Sequence, residues 1–169
     1  MAAKKYLAIV SGIFTEIQAL VTSAGAGDDG KLVALDSSGR IDSSCMPVGI
    51  GADTAAIVAS EALAAGDVVN VWNNAGTPKV RKADATTFGK EAHGFVLSAV
   101  SNGATATVYF EGSNTQRSGL TAGPQYLQTT AGSVGSTPPS GSGNVVQIVG
   151  FATSATVLNF QAGAPIVLA

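Results

Sequence analysis

The side chains able to do chemistry are few in this chain of 169 residues, and their spacing builds no familiar reaction centre. Cys45 is the one cysteine and His93 the one histidine, far apart in sequence. A nucleophile–base pair would need them brought together, and no Gly-x-Ser-x-Gly elbow is present to supply a serine instead. A lone cysteine also rules out a disulfide framework or a cysteine metal site, and it fits synthesis in a reducing cytoplasm. Glu61, Asp67, Asp84, Glu91 and Glu111 supply carboxylates of the kind that work in pairs in glycoside hydrolysis, but nothing in their spacing selects a pair. Asp28, Asp29, Asp36 and Asp42 raise the question of a calcium loop. The spacing is not that of an EF-hand, and turn formation accounts for these residues better. Gly25-Ala26-Gly27-Asp28-Asp29-Gly30 carries the glycine pattern of a dinucleotide loop, yet its two aspartates would repel phosphate and no amphipathic helix follows. The expectation is therefore a protein that is not an enzyme and holds no cofactor and no metal.

Composition points the same way. Charged residues make up 12% of the chain, about half the share of an ordinary soluble domain. The net charge is −2 and the nine basic residues are scattered, which argues against nucleic acid. Lys79, Arg81 and Lys82 form the nearest approach to a basic cluster, and read as a solvated strand face. Lys4-Lys5, the apolar stretch after them and Ala24-Gly25-Ala26 imitate a secretory signal, but Thr15, Glu16 and Gln18 interrupt the apolar run. No stretch reaches the roughly 20 apolar residues of a membrane span, so no membrane partner is expected.

The elements that must position any site are strands. Twenty-one glycines, with many Ser and Thr, punctuate short runs rich in Val, Thr and aromatics. The runs also repeat. Ala62-Leu63-Ala64-Ala65-Gly66 returns as Gly119-Leu120-Thr121-Ala122-Gly123, Gly94-Phe95-Val96-Leu97-Ser98 as Gly150-Phe151-Ala152-Thr153-Ser154, and Ala106-Thr107-Val108-Tyr109-Phe110 as Ala155-Thr156-Val157-Leu158-Asn159-Phe160. The expected fold is all-β, a β-barrel or sandwich built from two related β units at 53–112 and 119–169. Expected strands of the first unit are 55–59, 68–72, 77–81, 92–100 and 105–111; those of the second are 125–129, 145–149, 151–154 and 156–161. Val68, Asn70 and Trp72 alternate with Val69 and Val71, so both faces are largely apolar, as in a strand buried on both sides. Trp72, Tyr109, Phe110, Tyr126, Phe151 and Phe160 are expected in the core rather than on a sugar-binding platform. Gly132 to Gly143, with its Pro138-Pro139, reads as an exposed loop.

Residues 1–52 are expected to form an extended N-terminal arm or hairpin. Ser11-Gly12 is a turn signal between apolar Tyr6–Val10 and an alternating stretch from Ile13 to Thr22. A helix competes over that stretch, since Ile13, Ile17, Leu20 and Val21 have helical spacing; β-branched content favours the hairpin. Lys31–Leu35 reads as a short strand. The arm has too little apolar mass for a core of its own, which makes Tyr6, Ile9, Phe14, Ile17 and Leu35 candidate interface anchors.

Lys31-Leu32-Val33-Ala34-Leu35-Asp36-Ser37-Ser38-Gly39-Arg40-Ile41-Asp42, continuing to Met46-Pro47-Val48-Gly49-Ile50-Gly51, resembles the N-terminal segment of small structural proteins of tailed bacteriophages. Ala62–Val69, Gly89–Val96 and Gly150–Phe160 are similar to the same group. The nearest family is that of the capsid decoration, or cement, proteins. The resemblance implies a β-rich protomer, a homo-oligomer and commonly a trimer, made in the host cytoplasm and seated on the capsid exterior of the virion. There it would clamp the major capsid protein against the pressure of packaged DNA. Phage head fibres, tail fibres and spikes use similar segments, and a member of those groups would instead bind a host receptor or glycan. The family carries no catalytic residue to transfer.

Overall fold

A computed structural model describes residues 4–46 and 52–169. The chain divides into two compact units, Met1–Gly51 and Ala52–Ala169. The segment Pro47–Gly51, part of the phage-like stretch, lies outside the described residues.

The first unit opens with β1 (Lys5–Val10) and β2 (Ile13–Gln18), an antiparallel hairpin. Val10 pairs with Ile13, so Ser11 and Gly12 alone make the turn. Both have positive φ, 52° and 83°, the mirror-image turn whose twist suits a two-residue hairpin. Branched side chains and this turn decide the hairpin over the helix, and the strand ends at Gln18. Two 3-10 turns follow, at Ala26–Asp28 and Ser43–Cys45. The expected strand at Lys31–Leu35 is reduced to one parallel bridge between Leu20 and Val33. Leu20 meets it with its own amide and carbonyl, and no further residue continues the ladder. No described residue of this unit is buried.

The second unit is all-β. Its first half holds β3 (Thr54–Val58), β4 (Val68–Asn74), β5 (Thr77–Lys82), β6 (Gly94–Phe95) and β7 (Thr105–Tyr109). Its second half holds β8 (Glu111–Asn114), β9 (Gly123–Leu127), β10 (Val134–Gly135), β11 (Val145–Val146), β12 (Ile148–Ser154), β13 (Val157–Gln161) and β14 (Ile166–Val167). The first sheet runs β3-β7-β6-β4-β5 and the second β8-β13-β12-β9-β10, while β11 and β14 pair separately. Read strand for strand, the two five-stranded sheets have the same order, so the sequence repeat is a repeat of topology.

The second sheet begins at β8, which pairs with β13. Glu111 and Gly112, expected at the end of the repeat at 53–112, thus open the second sheet. A pair of glycines marks the repeat physically. A Cβ on Gly94 would lie 2.6 Å from the carbonyl oxygen of Tyr109, and one on the equivalent Gly150 would lie 2.0 Å from that of Asn159. Only glycine lets these strands approach so closely.

The first sheet rolls until its edges meet. Ala59 bridges Val80 in parallel, and Ser60 N donates to Val80 O at 2.8 Å. Ala59, Leu63, Val69, Val80, Val96, Ala106 and Val108 fill the roll. On its other side Val68, Ala83, Ala85, Ala92 and Phe95 pack against Leu127, Val149, Leu158 and Phe160 of the second sheet. Val68 and Val69 are both fully buried, so β4 is covered on both faces. Each large aliphatic or aromatic side chain so buried contributes roughly 1.5–3 kcal/mol.

Two expectations shift. The strand at 92–100 shrinks to Gly94–Phe95, because Val96 N donates to Asp67 O and Val96 O accepts from Gly66 N, and Val100 is taken by Leu63. Phe151 is exposed rather than core: it lies between buried Gly150 and Ala152, so alternation turns it outward beside Pro124 and Asn159. In the stretch 132–143, Val134–Gly135 forms β10 against β9, and the tip is mostly exposed.

Candidate assembly surface

Most of the carboxylates singled out in the sequence hold turns and loops, while Asp29 and Glu111 are exposed. Asp28 accepts from Ala24 N at 2.7 Å and pairs with Lys31 at 2.8 Å. Its carboxyl is held below the ordinary value first by the Lys31 ammonium, then by the Ala24 amide. Asp36 accepts from Ser38 N and Arg40 N, and Asp42 from Ser44 N and Oγ. The Ser44 hydroxyl is the main cause of the lowered pKa of Asp42. These aspartates close turns, each with its own set of amides, as their spacing suggests. Asp28, with Asp29, lines a hollow of about 600 Å³ together with Leu20, Lys31, Val33, Cys45 and Met46, and Asp36 and Asp42 do not reach it. Among the described residues no three His, Cys, Asp or Glu side chains form a metal-binding group.

The second unit treats its polar groups alike. Glu61 accepts from Lys82 N, Asp67 from Ala64 N, and Glu91 from Gly89 N, each a clasp on a neighbouring loop. Asp84 accepts from Thr86 and from Lys90, the latter at 3.0 Å. Burial pushes the Asp84 carboxyl up, and the bonds from Thr86 and Lys90 outweigh it, leaving the pKa lowered. His93 is exposed, and its Nδ1 accepts from Val71 N at 3.1 Å. The Trp72 ring is capped by Arg81, 4.6 Å from its centroid, and its N–H donates to Ser60 Oγ. That stacking occupies a face a sugar would need.

Two polar side chains missed by sequence reasoning join the halves of the second unit. Gln147 Oε1 accepts from Ala92 N at 2.8 Å, while Nε2 donates to Ala92 O and Gly163 O. Arg117 Nη1 donates to Gly66 O at 2.9 Å and Gly132 O at 3.1 Å. Burial lowers the pKa of Arg117, with the nearby Asp67 charge opposing. Neither has a local pattern that would flag it, since its partners are remote carbonyls and amides.

Exposed apolar side chains are densest on the β1–β2 hairpin, while Leu32, Ile41, Phe88 and Ile166 are also more than half exposed elsewhere. Directly paired residues share a face of an antiparallel ladder, and alternate residues change face. One face carries Leu7, Ile9 and Phe14, with Lys5, Glu16 and Gln18 at its base; Lys5 and Glu16 form an ion pair there. The other carries Tyr6, Ala8, Thr15 and Ile17, with Val10 and Ile13 at the tip. Exposure is 72% at Leu7, 67% at Ile9, 77% at Phe14, 68% at Ile13 and 47% at Val10. Tyr6 and Ile17 are half-buried. Of the five anticipated anchors, Ile9 and Phe14 are thus brought together on one face, and Tyr6 and Ile17 on the opposite one. Leu35 is exposed and outside the hairpin, just before the Asp36–Gly39 turn, and its carbonyl accepts from the Lys4 ammonium. Leu7, Val10 and Ile13 were not among the anticipated anchors. The Ser11–Gly12 turn held the clue, because fixing it also fixes the register and places Leu7 beside Ile9 and Phe14.

An isolated two-stranded hairpin is marginal in water, and one with apolar side chains on both faces more so. No family model matches the chain, and no curated protein or solved structure gives a significant match.

Proposed function

We propose that this chain is a structural protein of a tailed-bacteriophage particle, a decoration protein that seats on the capsid exterior and bridges major capsid subunits as a homo-oligomer, most simply a trimer. The carrying observation is the hairpin, whose Leu7, Ile9, Ile13 and Phe14 all stand more than half exposed on a unit with no buried residue among those described. Such a unit gains its stability from what it contacts. The second unit supplies the opposite property, a well-buried β body with a duplicated core. A body plus an apolar docking element suits a clamp on a protein lattice. The resemblance of Lys31–Asp42, Ala62–Val69 and Gly150–Phe160 to phage structural proteins supports the same reading. A role without catalysis accords with carboxylates committed to turns and loop clasps.

Attachment by this element is apolar and main-chain in character, through Ile9, Phe14 and their neighbours, so it should persist at high salt. Electron microscopy of the phage particle tests the role. Copies distributed over the head lattice support it; copies confined to the tail would give a fibre or spike, and a host receptor or glycan as partner. Adding the purified protein to shells stripped of it should raise their resistance to heat.

A further inference from the structure

Among the described residues, the most exposed aromatic of the second unit is Phe88, on the loop at 83–93 between β5 and β6. We propose that Phe88 is a pre-set anchor that inserts into an apolar pocket on a partner protein, the major capsid subunit under the reading above. The inference rests on that reading and adds an attachment point on the second unit. A clamp that bridges two subunits needs two such points, and the hairpin supplies one.

The loop is fixed along its length. Asp84 N donates to Lys90 O at 3.0 Å and closes its neck. Ala85 is tied to the second half of the unit: its N donates to Gln128 O at 2.9 Å, and its O accepts from Val145 N at 2.8 Å. On the returning limb, Glu91 O accepts from Asn70 Nδ2 at 2.8 Å. The tip is braced as well. Asp84 accepts from Thr86 N, Thr86 Oγ1 and Lys90 Nζ. Glu91 Oε1 accepts from Gly89 N at 2.9 Å, and Gly89 O accepts from Arg81 Nη2 at 2.7 Å. Thr86 and Gly89 are therefore both held by their backbone, with Thr87 and Phe88 between them. The φ of 92° at Gly89 returns the chain, a conformation glycine adopts freely.

The two bracing acids, Asp84 and Glu91, are each 7% exposed, while Phe88 is 69% exposed. Carboxylates are buried only where bonds compensate them. Here those bonds hold a backbone around a ring that packs into no core of its own. The network therefore stabilises one presentation of Phe88. A loop already ordered loses little freedom on binding, and a rigidly presented aromatic is the usual anchor of a protein interface.

Charge selects the occupant. A phosphate backbone or an anionic lipid surface is met by clustered cations. The cations bracing this loop are committed to the fold: Lys90 to Asp84, and Arg81 to Gly89, Asn70 and the Trp72 ring. A sugar needs polar groups around the aromatic, but the Thr86 hydroxyl is turned to Asp84 and the Thr87 hydroxyl lies 3.5 Å from the Phe88 carbonyl. The tip thus offers a ring in a neutral setting, which suits a pocket lined by apolar side chains on a protein.

The test uses the full chain and shells stripped of it. Phe88→Ala removes the ring but none of the brace, so it should keep the wild-type circular dichroism. It is expected to bind shells through the hairpin with affinity about 30-fold weaker than wild type. The defect should be the same at high salt, because no charge is removed. Phe88→Leu, which refills an apolar pocket, should recover most of the loss. A benzophenone amino acid placed at position 88 and irradiated on the shells should cross-link to the major capsid protein. Affinity of Phe88→Ala within about 3-fold of wild type, or cross-links confined to copies of this chain, overturns the anchor and leaves the decoration role standing. Wild-type protein that leaves the shells bare overturns both.

Discussion

Replacing Gln147 by Ala should be among the most damaging single polar substitutions in the second unit. The side chain is 3% exposed and its amide makes three bonds, from Ala92 N and to Ala92 O and Gly163 O. Ala92 is itself fully buried, so water cannot readily replace the lost partner. Each net bond is worth about 1 kcal/mol, and an orphaned buried amide adds a desolvation cost of about 1–3 kcal/mol. The sum is about 4–6 kcal/mol, lowering Tm by roughly 15–25 °C in a unit of this size. Urea denaturation followed by tryptophan fluorescence measures it, because Trp72 lies on β4 of the first sheet while Gln147 lies in the second half. The Gln147–Ala92 clip joins the halves, so the fluorescence midpoint should fall with that of circular dichroism. Gln147→Leu, which keeps volume but not bonds, should recover little of the loss. A loss below about 1 kcal/mol for Gln147→Ala would show that the clip contributes little and that the apolar interface alone couples the halves.

The remaining expectations concern backbone, charge and the hairpin. Gly150→Ala should cost more than Gly94→Ala, about 3 kcal/mol or more against about 2, since its Cβ would lie closer to a backbone oxygen and its φ of 134° disfavours a side chain; equal losses by chemical denaturation would refute the repeat-specific reading. Ala75 holds φ 51° in the β4–β5 turn, so Ala75→Asn should stabilise by about 0.5–1 kcal/mol in the same assay, and a loss would contradict it. The lowered pKa of Asp84 means that its contribution is present above the unfolded value of 3.8 and is lost as pH falls through the lower folded value. Asp84→Asn should therefore flatten the acid limb of the stability curve below about pH 4 while lowering stability at neutral pH; an unchanged acid limb would refute this. Deleting residues 1–50 should leave the second unit folded by circular dichroism yet abolish shell binding; retained binding would move the docking site elsewhere.

Much of the local structure was legible in the sequence. Ser11-Gly12 announces a hairpin between two apolar runs, because glycine readily takes the positive φ a tight turn needs, and the turn forms where those residues stand. The apolar run Val68–Val69 implied burial on both faces, and both side chains are fully buried. The repeat of Gly94-Phe95 as Gly150-Phe151 was visible as letters. Its cause, a glycine that lets each strand approach a neighbouring carbonyl, lies in strand pairing. What depends on residues distant in the chain had no local trace. β8 joins the second sheet because Asn114 and Gly112 find partners on β13, and no feature of Glu111–Asn114 alone says so. The strand expected at 92–100 stops at Phe95 because Asp67, Gly66 and Leu63 take its next hydrogen bonds. Phe151 turned outward for a similar reason, since alternation along β12 gives the inward positions to Gly150 and Ala152. The hairpin lies between these cases. Its existence is a property of neighbouring residues from Lys5 to Gln18, because a tight turn and branched side chains act over short range. The exposure of both its apolar faces is a tertiary fact, because burial depends on which other parts of the fold arrive to cover a strand.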